Sequence, residues 1–208
     1  VSVVEPVPAQ RGVRSGPIAI GGDRRVWVVN PDNDTVTRLD ANARTKIDEL
    51  RTCADPRSVT LDRQRRAWIT CHDADQVLVV GADGRRAGVI DLDYGAAPFG
   101  VVYSPALDRV LVSLYGSGEV ALFRPDTLQR VDTLAVGPTP RAIAVTADGG
   151  RALVTRFISP DSAGELYDLD LTATTLSPRN VITLRHQWGE DDRADGWGLD
   201  RKSTRLNS

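Results

Sequence analysis

The chain of 208 residues contains no methionine, only two cysteines and only two histidines, and it lacks any long apolar run. Two cysteines cannot supply the disulfide network of a small secreted scaffold. No apolar run approaches the roughly 20 residues that a membrane-spanning helix needs. The formal net charge of −2 leaves no general positive field for nucleic acid or anionic lipid. We therefore expect neither nucleic acid nor a membrane span.

Familiar catalytic and cofactor motifs are also missing from the sequence. There is no Gly-x-Ser-x-Gly elbow, phosphate-binding loop or dinucleotide fingerprint. There is no helical histidine pair of the zinc hydrolases and no Cys-x-x-Cys-His haem site. We expect no catalytic residue, no metal and no cofactor within this chain, with haem conceivable only in a further domain downstream.

The composition that is present belongs to a globular domain, with 41% hydrophobic and 26% charged residues. The chain begins at Val1 without a methionine. Its last nine residues, 200–208, break the composition of everything before them and resemble a translated sequencing adapter. We expect a chain that is truncated at both ends and carries a non-native tail at 200–208.

An internal repeat with a period near 42 residues runs through most of the chain. Arginine precedes a short apolar run four times, at Arg25, Arg66, Arg109 and Arg151. Proline precedes a second, alternating run four times, at Pro17, Pro56, Pro98 and Pro140. Each period holds four Val-, Ile-, Leu- and Thr-rich runs separated by Gly, Pro, Asp and Asn. Such a period, built only from β-type segments, is typical of a β-propeller.

The predicted fold class is therefore all-β, with about four four-stranded antiparallel blades of a seven-bladed ring. The predicted divisions are a remnant of a preceding blade at 1–15, then blades at 16–55, 56–97, 98–139 and 140–185, a loop or linker at 186–199, and the tail. Four blades alone would form an open arc with exposed edges, which is why we expect a larger ring.

Residues 25–40, RVWVVNPDNDTVTRLD, resemble the repeat of the YVTN family of β-propellers. That repeat has a Tyr-Val-Thr-Asn-like strand, a polar turn and a Val-rich strand ending in Asp. The sequence departs from it at Cys71 and Arg156, where blade one has Asn30. The resemblance implies a bacterial or archaeal protein, related to surface-layer proteins and located in the periplasm or at the cell surface.

Three functions are consistent with these observations. The first is a non-catalytic scaffold whose rim loops bind a protein partner or a small ligand. The second is the propeller domain of a di-haem peroxidase-like electron-transfer protein containing c-type cytochrome, because residues 157–166 resemble a segment of such proteins. The third is a lactonase-like hydrolase, although its candidate carboxylates are more simply turn residues: Asp23, Asp62, Asp108 and Asp148.

Five residues are candidates for binding at one rim of the propeller. Arg57, Phe99 and Arg141 each follow a marker proline at the start of an innermost strand, where arginines could hold an anion or a carboxylate. His72 and Arg156 lie near the ends of second strands on the same rim. The alternative is that the arginines are solvated rim charges and His72 a polar loop residue.

Cys53 and Cys71 are predicted to emerge on that same rim, and we hypothesise a disulfide between them. The alternative is two unpaired thiols, one of them packed in a strand end. Three acidic turns at 31–34, 72–75 and 159–165 could in principle hold calcium. Asp and Asn in such turns more often bond their own backbone, so we expect no calcium site.

Overall fold

Each sequence repeat forms one antiparallel sheet in the structure, a computed structural model that describes residues 13–158 and 163–185. A two-residue strand, β1 (Val13–Arg14), precedes the blades. Blade one comprises β2 (Ile18–Ile20), β3 (Arg25–Asn30), β4 (Thr35–Asp40) and β5 (Thr45–Arg51), with a 3₁₀ turn at Pro31–Asn33. Blade two comprises β6 (Pro56–Leu61), β7 (Ala67–Cys71), β8 (Gln76–Val80) and β9 (Arg86–Asp91).

The other two blades follow the same plan. Blade three comprises β10 (Pro98–Ser104), β11 (Arg109–Leu114), β12 (Glu119–Phe123) and β13 (Arg130–Ala135). Blade four comprises β14 (Pro140–Val145), β15 (Arg151–Arg156), β16 (Ala163–Leu171) and β17 (Leu176–Arg185). Within each blade, every strand pairs antiparallel with the next one along the chain. The predicted all-β fold of four-stranded antiparallel blades is confirmed, and the number of blades in a complete ring stays a prediction.

The segment before blade one lies against the innermost strands of two other blades. β1 pairs antiparallel with β14, so blade four gains a fifth strand. Two residues on, the carbonyl of Gly16 accepts a hydrogen bond of 2.9 Å from the amide of Val59 in blade two. Residues 13–16 thus join the inner edges of blades two and four. Residues 1–12, 159–162 and 186–208, with the predicted linker and tail, lie outside the described part of the chain.

Apolar cores lie between neighbouring blades, as expected when a sheet can bury its faces only against the next sheet. Trp27 of blade one shares a core with Ile69 of blade two. Trp68 of blade two shares the next with Val112 of blade three. Every residue of β7 is buried, because both faces of this strand are covered. That burial explains its continuous apolar sequence, which lacks the alternation of a half-exposed strand.

The repeated arginines connect each blade to the next. Their guanidinium groups donate to backbone carbonyls in the turn between the third and fourth strands of the following blade: Arg25 to Ala82 (2.9 Å), Arg66 to Pro125 (2.5 Å) and Arg109 to Ala173 (2.6 Å). We call this end of the propeller the arginine rim. The long, multivalent guanidinium accounts for arginine rather than lysine at these positions.

Buried hydroxyl groups connect the blades at the opposite end. Thr70 accepts a hydrogen bond from the amide of Ser58 in its own blade (3.0 Å) and donates to the carbonyl of Phe99 in the next (2.7 Å). Ser113 does the same between Gly100 (2.8 Å) and Arg141 (2.6 Å). The amides of Ser58 and Gly100 lie where the innermost strand is bulged, so that its hydrogen-bond ladder with the second strand is interrupted. Each hydroxyl bridge therefore satisfies a bulged amide and holds the neighbouring blade.

Replacing Thr70 by Val keeps the shape of the side chain and leaves two buried backbone groups without a partner. We expect the free energy of unfolding to fall by about 1–3 kcal/mol. Urea denaturation followed by circular dichroism measures this loss. Thr174→Val, at an exposed turn position, is the matched control and should change stability little. Equal stability of the two variants would contradict a structural role for the bridge.

Candidate functional site

The candidate site lies on the rim where the innermost strands begin, which we call the proline rim. In an antiparallel pair the start of one strand lies beside the end of the other, so Pro98 is paired with Leu114 and Pro140 with Arg156. The residue after each proline is thereby brought near the residue after each second strand. Six side chains gather in this way and form what we call the rim cluster: Arg57, His72, Phe99, Tyr115, Arg141 and Phe157.

Aromatic rings form a continuous row through the rim cluster. The ring centroids of His72 lie 6.0 Å from Phe99 and 5.7 Å from Tyr115. Tyr115 in turn lies 6.2 Å from both Phe99 and Phe157. The row crosses from blade two through blade three to blade four, so its spacing depends on how the blades pack. It gives the rim a partly exposed apolar surface, with Phe157 55% exposed.

Arg141 lies between two of these rings. The carbon at the centre of its guanidinium is 4.3 Å from the ring centroid of Phe99 and 4.1 Å from that of Phe157. Such contacts stabilise a cation without neutralising it. No carboxylate of residues 13–158 or 163–185 lies within ion-pair distance of Arg141. Its backbone carbonyl is held by Ser113, so the residue is fixed in position, and within the described part of the chain its charge has no carboxylate partner.

Arg57 carries the second positive charge of the cluster, and it is already paired. Its guanidinium contacts the carboxylate of Asp55 at 2.6 Å and lies 5.8 Å from the ring of Phe99. Nδ1 of His72 is 3.5 Å from Asp55 and 2.9 Å from Asp73. Asp55, His72 and Asp73 each offer one possible metal-ligand atom, and these three atoms lie within 4.8 Å of one another. Arg57 competes with a metal for Asp55, which favours a hydrogen-bonded charge cluster here.

A cavity of 380 Å³ opens beside the two arginines. Its walls include the segment before blade one, at Ser15 and Pro17, together with Arg57, Phe99 and Arg141. A volume in this range suits a small organic molecule. The site therefore combines a concave wall, aromatic rings and an available guanidinium.

The structure brings four of the five predicted binding residues into the rim cluster and separates the fifth. Arg156 instead forms an ion pair of 2.5 Å with Glu165 on the neighbouring strand. Sequence reasoning missed two members, Tyr115 and Phe157. His72, Tyr115 and Phe157 are 43 and 42 residues apart. The repeat period therefore identifies Tyr115 and Phe157 as the counterparts of His72 in the next two blades.

The two cysteines are joined in a disulfide, with 5.7 Å between the Cα atoms of Cys53 and Cys71. The bond lies directly beside the rim cluster, because His72 follows Cys71 and Asp55 lies two residues after Cys53. It ties the connection between blades one and two to the end of β7.

The acidic turns on the proline rim use their carboxylates to hold backbone amides. Asp34 accepts from the amide of Asp55 at 2.9 Å. Asp75 accepts from the amides of Gly95 and Ala97 at 2.8 and 2.7 Å. These bonds reach backbone amides 20 to 22 residues further along the chain, so they fix the connections between blades and differ from the expected bonds of a turn to its own backbone. The third acidic turn lies partly outside the described residues.

The carboxylates considered for hydrolysis lie in turns that face the arginine rim. Asp62 accepts from the indole of Trp68 at 2.9 Å. Burial and the hydrogen bond to Asp108 raise the pKa of Tyr103 to about 12. The Thr146 hydroxyl bonded to Asp148 holds the pKa of that carboxyl below its usual range. Each of these groups is engaged in its own turn.

Known proteins resemble this chain in fold. No protein-family model and no curated protein sequence matches it. Among solved structures, hydrazine synthase from Kuenenia stuttgartiensis aligns with a TM-score of 0.70 at 18% identity, covering 81% of this chain and 49% of that one. Virginiamycin B lyase from Staphylococcus aureus aligns with a TM-score of 0.67 at 12% identity, covering 88% and 59%.

A third neighbour is the dihydro-heme d1 dehydrogenase NirN in complex with DHE, with a TM-score of 0.62 at 12% identity, covering 84% of this chain and 39% of that one. The chain is thus similar to β-propeller proteins that include a lyase and a haem-related dehydrogenase, and it spans only part of each. Likeness at such identities shows the fold alone. Residues 13–158 and 163–185 contain no helix that is long and apolar enough to span a membrane.

The disulfide makes a direct prediction about thiol reactivity. Because Cys53 and Cys71 are bonded to each other, iodoacetamide should label neither in the denatured, unreduced chain. After reduction it should label both. Intact-mass spectrometry measures the two additions, and labelling before reduction would contradict the bond.

Proposed function

We propose that the chain is a non-catalytic propeller scaffold whose rim cluster binds a carboxylate-bearing ligand. The observation that carries this proposal is Arg141, a guanidinium that lies between two aromatic rings and has no carboxylate partner among residues 13–158 and 163–185. A guanidinium presents paired N–H donors that match the two oxygens of a carboxylate. Its two ring contacts hold those donors in place before a ligand arrives, which lowers the cost of binding.

The remainder of the cluster supports a planar organic anion as the ligand. The cavity beside Arg57 and Arg141 suits a small molecule better than an extended protein surface. Phe99 lines that cavity and offers its ring to a flat, apolar body. Tyr115 and Phe157 continue the aromatic row outside the cavity lining. Arg57, partly neutralised by Asp55, adds a second and weaker attraction at the other side of Phe99.

The proposal extends to the family and location of the protein. The repeat at residues 25–40 supports membership of the YVTN propellers, and with it export to the periplasm or cell surface. The disulfide supports the same location, because such bonds persist in oxidising compartments. A scaffold there would present the proline rim to ligands outside the cytoplasm.

Benzoate is the probe that tests the site, since it combines a carboxylate with one flat ring. We expect Arg141→Gln to weaken benzoate binding by about 10- to 100-fold, because a hydrogen bond to a charged group is lost. Arg141→Lys should recover only part of the affinity, because lysine lacks the paired donors. Isothermal titration calorimetry measures the dissociation constants.

Two controls make the result specific. Arg85→Gln removes an exposed arginine on the opposite rim and should leave the affinity unchanged. Benzamide, the neutral counterpart of benzoate, should bind the parent chain weakly. Equal affinity of Arg141→Gln and Arg85→Gln for benzoate would refute the carboxylate site.

A further inference from the structure

The disulfide occurs only in blade two among the three connections that reach the rim cluster. Three residues before the marker proline, blade two has Cys53 where the others have Gly95 and Gly137. At the end of the second strand it has Cys71 where the others have Leu114 and Arg156. The covalent bond is therefore an addition to the common plan of the repeat.

The connections do not need this bond to keep their shape. In each of blades two, three and four the amide after the second strand donates to the carbonyl of the residue before the proline: His72 to Asp55 (3.0 Å), Tyr115 to Ala97 (3.1 Å) and Phe157 to Thr139 (2.9 Å). Blades three and four hold their connections with that hydrogen bond and no disulfide. Blade two can thus lose the S–S bond and keep its sheet.

The bond can be reached from one side. Cys71 is fully buried, whereas Cys53 is partly exposed and lines a cavity of 310 Å³ between blades one and two. Arg51 and Arg86, both exposed, line the same cavity. Their positive charge favours the approach of a thiolate, the species that attacks a disulfide. Attack is therefore directed to the sulfur of Cys53.

We infer that the Cys53–Cys71 bond is a thiol–disulfide exchange site whose redox state controls ligand binding at the rim cluster. A thiolate of a dithiol reductant attacks the sulfur of Cys53, forms a mixed disulfide and displaces the Cys71 sulfur, which takes up a proton. The second thiol of the reductant then displaces Cys53, which is also protonated. Two electrons and two protons pass to the protein, and the reductant leaves as its own disulfide.

Reduction acts on the rim cluster through the residues that flank the cysteines. Asp55 positions Arg57, and His72 contacts Phe99 and Tyr115. With the S–S bond open, these side chains are held by hydrogen bonds alone, and the ordering cost of ligand binding rises. The other half of the site, at Arg141, keeps its contacts. Reduction therefore weakens binding without abolishing it.

The test compares benzoate affinity in three states of the full chain: oxidised, reduced with dithiothreitol and reoxidised. This readout rests on the proposed function. We expect reduction to weaken benzoate binding about three- to tenfold and reoxidation to restore it, with circular dichroism unchanged. Cys53→Ser should match the reduced chain and be insensitive to dithiothreitol. Equal or higher affinity after reduction would overturn the proposal.

Amide hydrogen exchange gives a second readout that needs no ligand. Reduction should speed exchange at the amide of His72 and leave that of Tyr115, its counterpart in blade three, unchanged. If benzoate binds neither form but His72 responds, the carboxylate site is wrong, and the redox-dependent ordering of the rim stands. If the oxidised chain binds benzoate and neither affinity nor exchange responds to reduction, redox control is wrong and the carboxylate site stands.

Discussion

The hydroxyl bridges on the two sides of blade three are the interactions on which the candidate site depends. Thr70 and Ser113 each lie on the second strand of one blade and donate to the first strand of the next. Apolar packing between sheets is strong and has little directionality, so it tolerates sliding of one blade over another. A short, buried hydrogen bond does not, because moving it by an ångström leaves two polar groups unsatisfied. The bridges thus fix the position of one blade relative to the next, and with it the packing of the apolar core between them.

The same bridges position two residues of the rim cluster. The carbonyls that accept from Thr70 and Ser113 belong to Phe99 and Arg141, the two residues whose side chains form the centre of the rim cluster. At the other end, the repeated arginines bind turns of the following blade and oppose tilting. The side chains that hold the blades together on the two rims therefore also determine the geometry of the rim cluster.

The sequence was sufficient to predict the fold because its two markers, arginine and proline, recur at the period of the structural unit. It also located Arg57, Phe99 and Arg141, since antiparallel pairing brings the start of each innermost strand to one rim. Other features depend on quantities that residue types do not specify. The contact of Arg156 with Glu165 follows from the register of β15 and β16. The separation of Cys53 and Cys71 follows from the path of the connection between blades one and two.

The site straddles the boundary between two blades, since Phe99 belongs to blade three and Arg141 to blade four. A ligand bound at the proposed site would contact both blades and would have to be released before they separate. Ligand occupancy and blade separation would then be linked equilibria, with the bound molecule stabilising that boundary. Local opening of a propeller otherwise begins where the least apolar area is buried. With the proposed site occupied, the stability of this one boundary would also depend on ligand concentration.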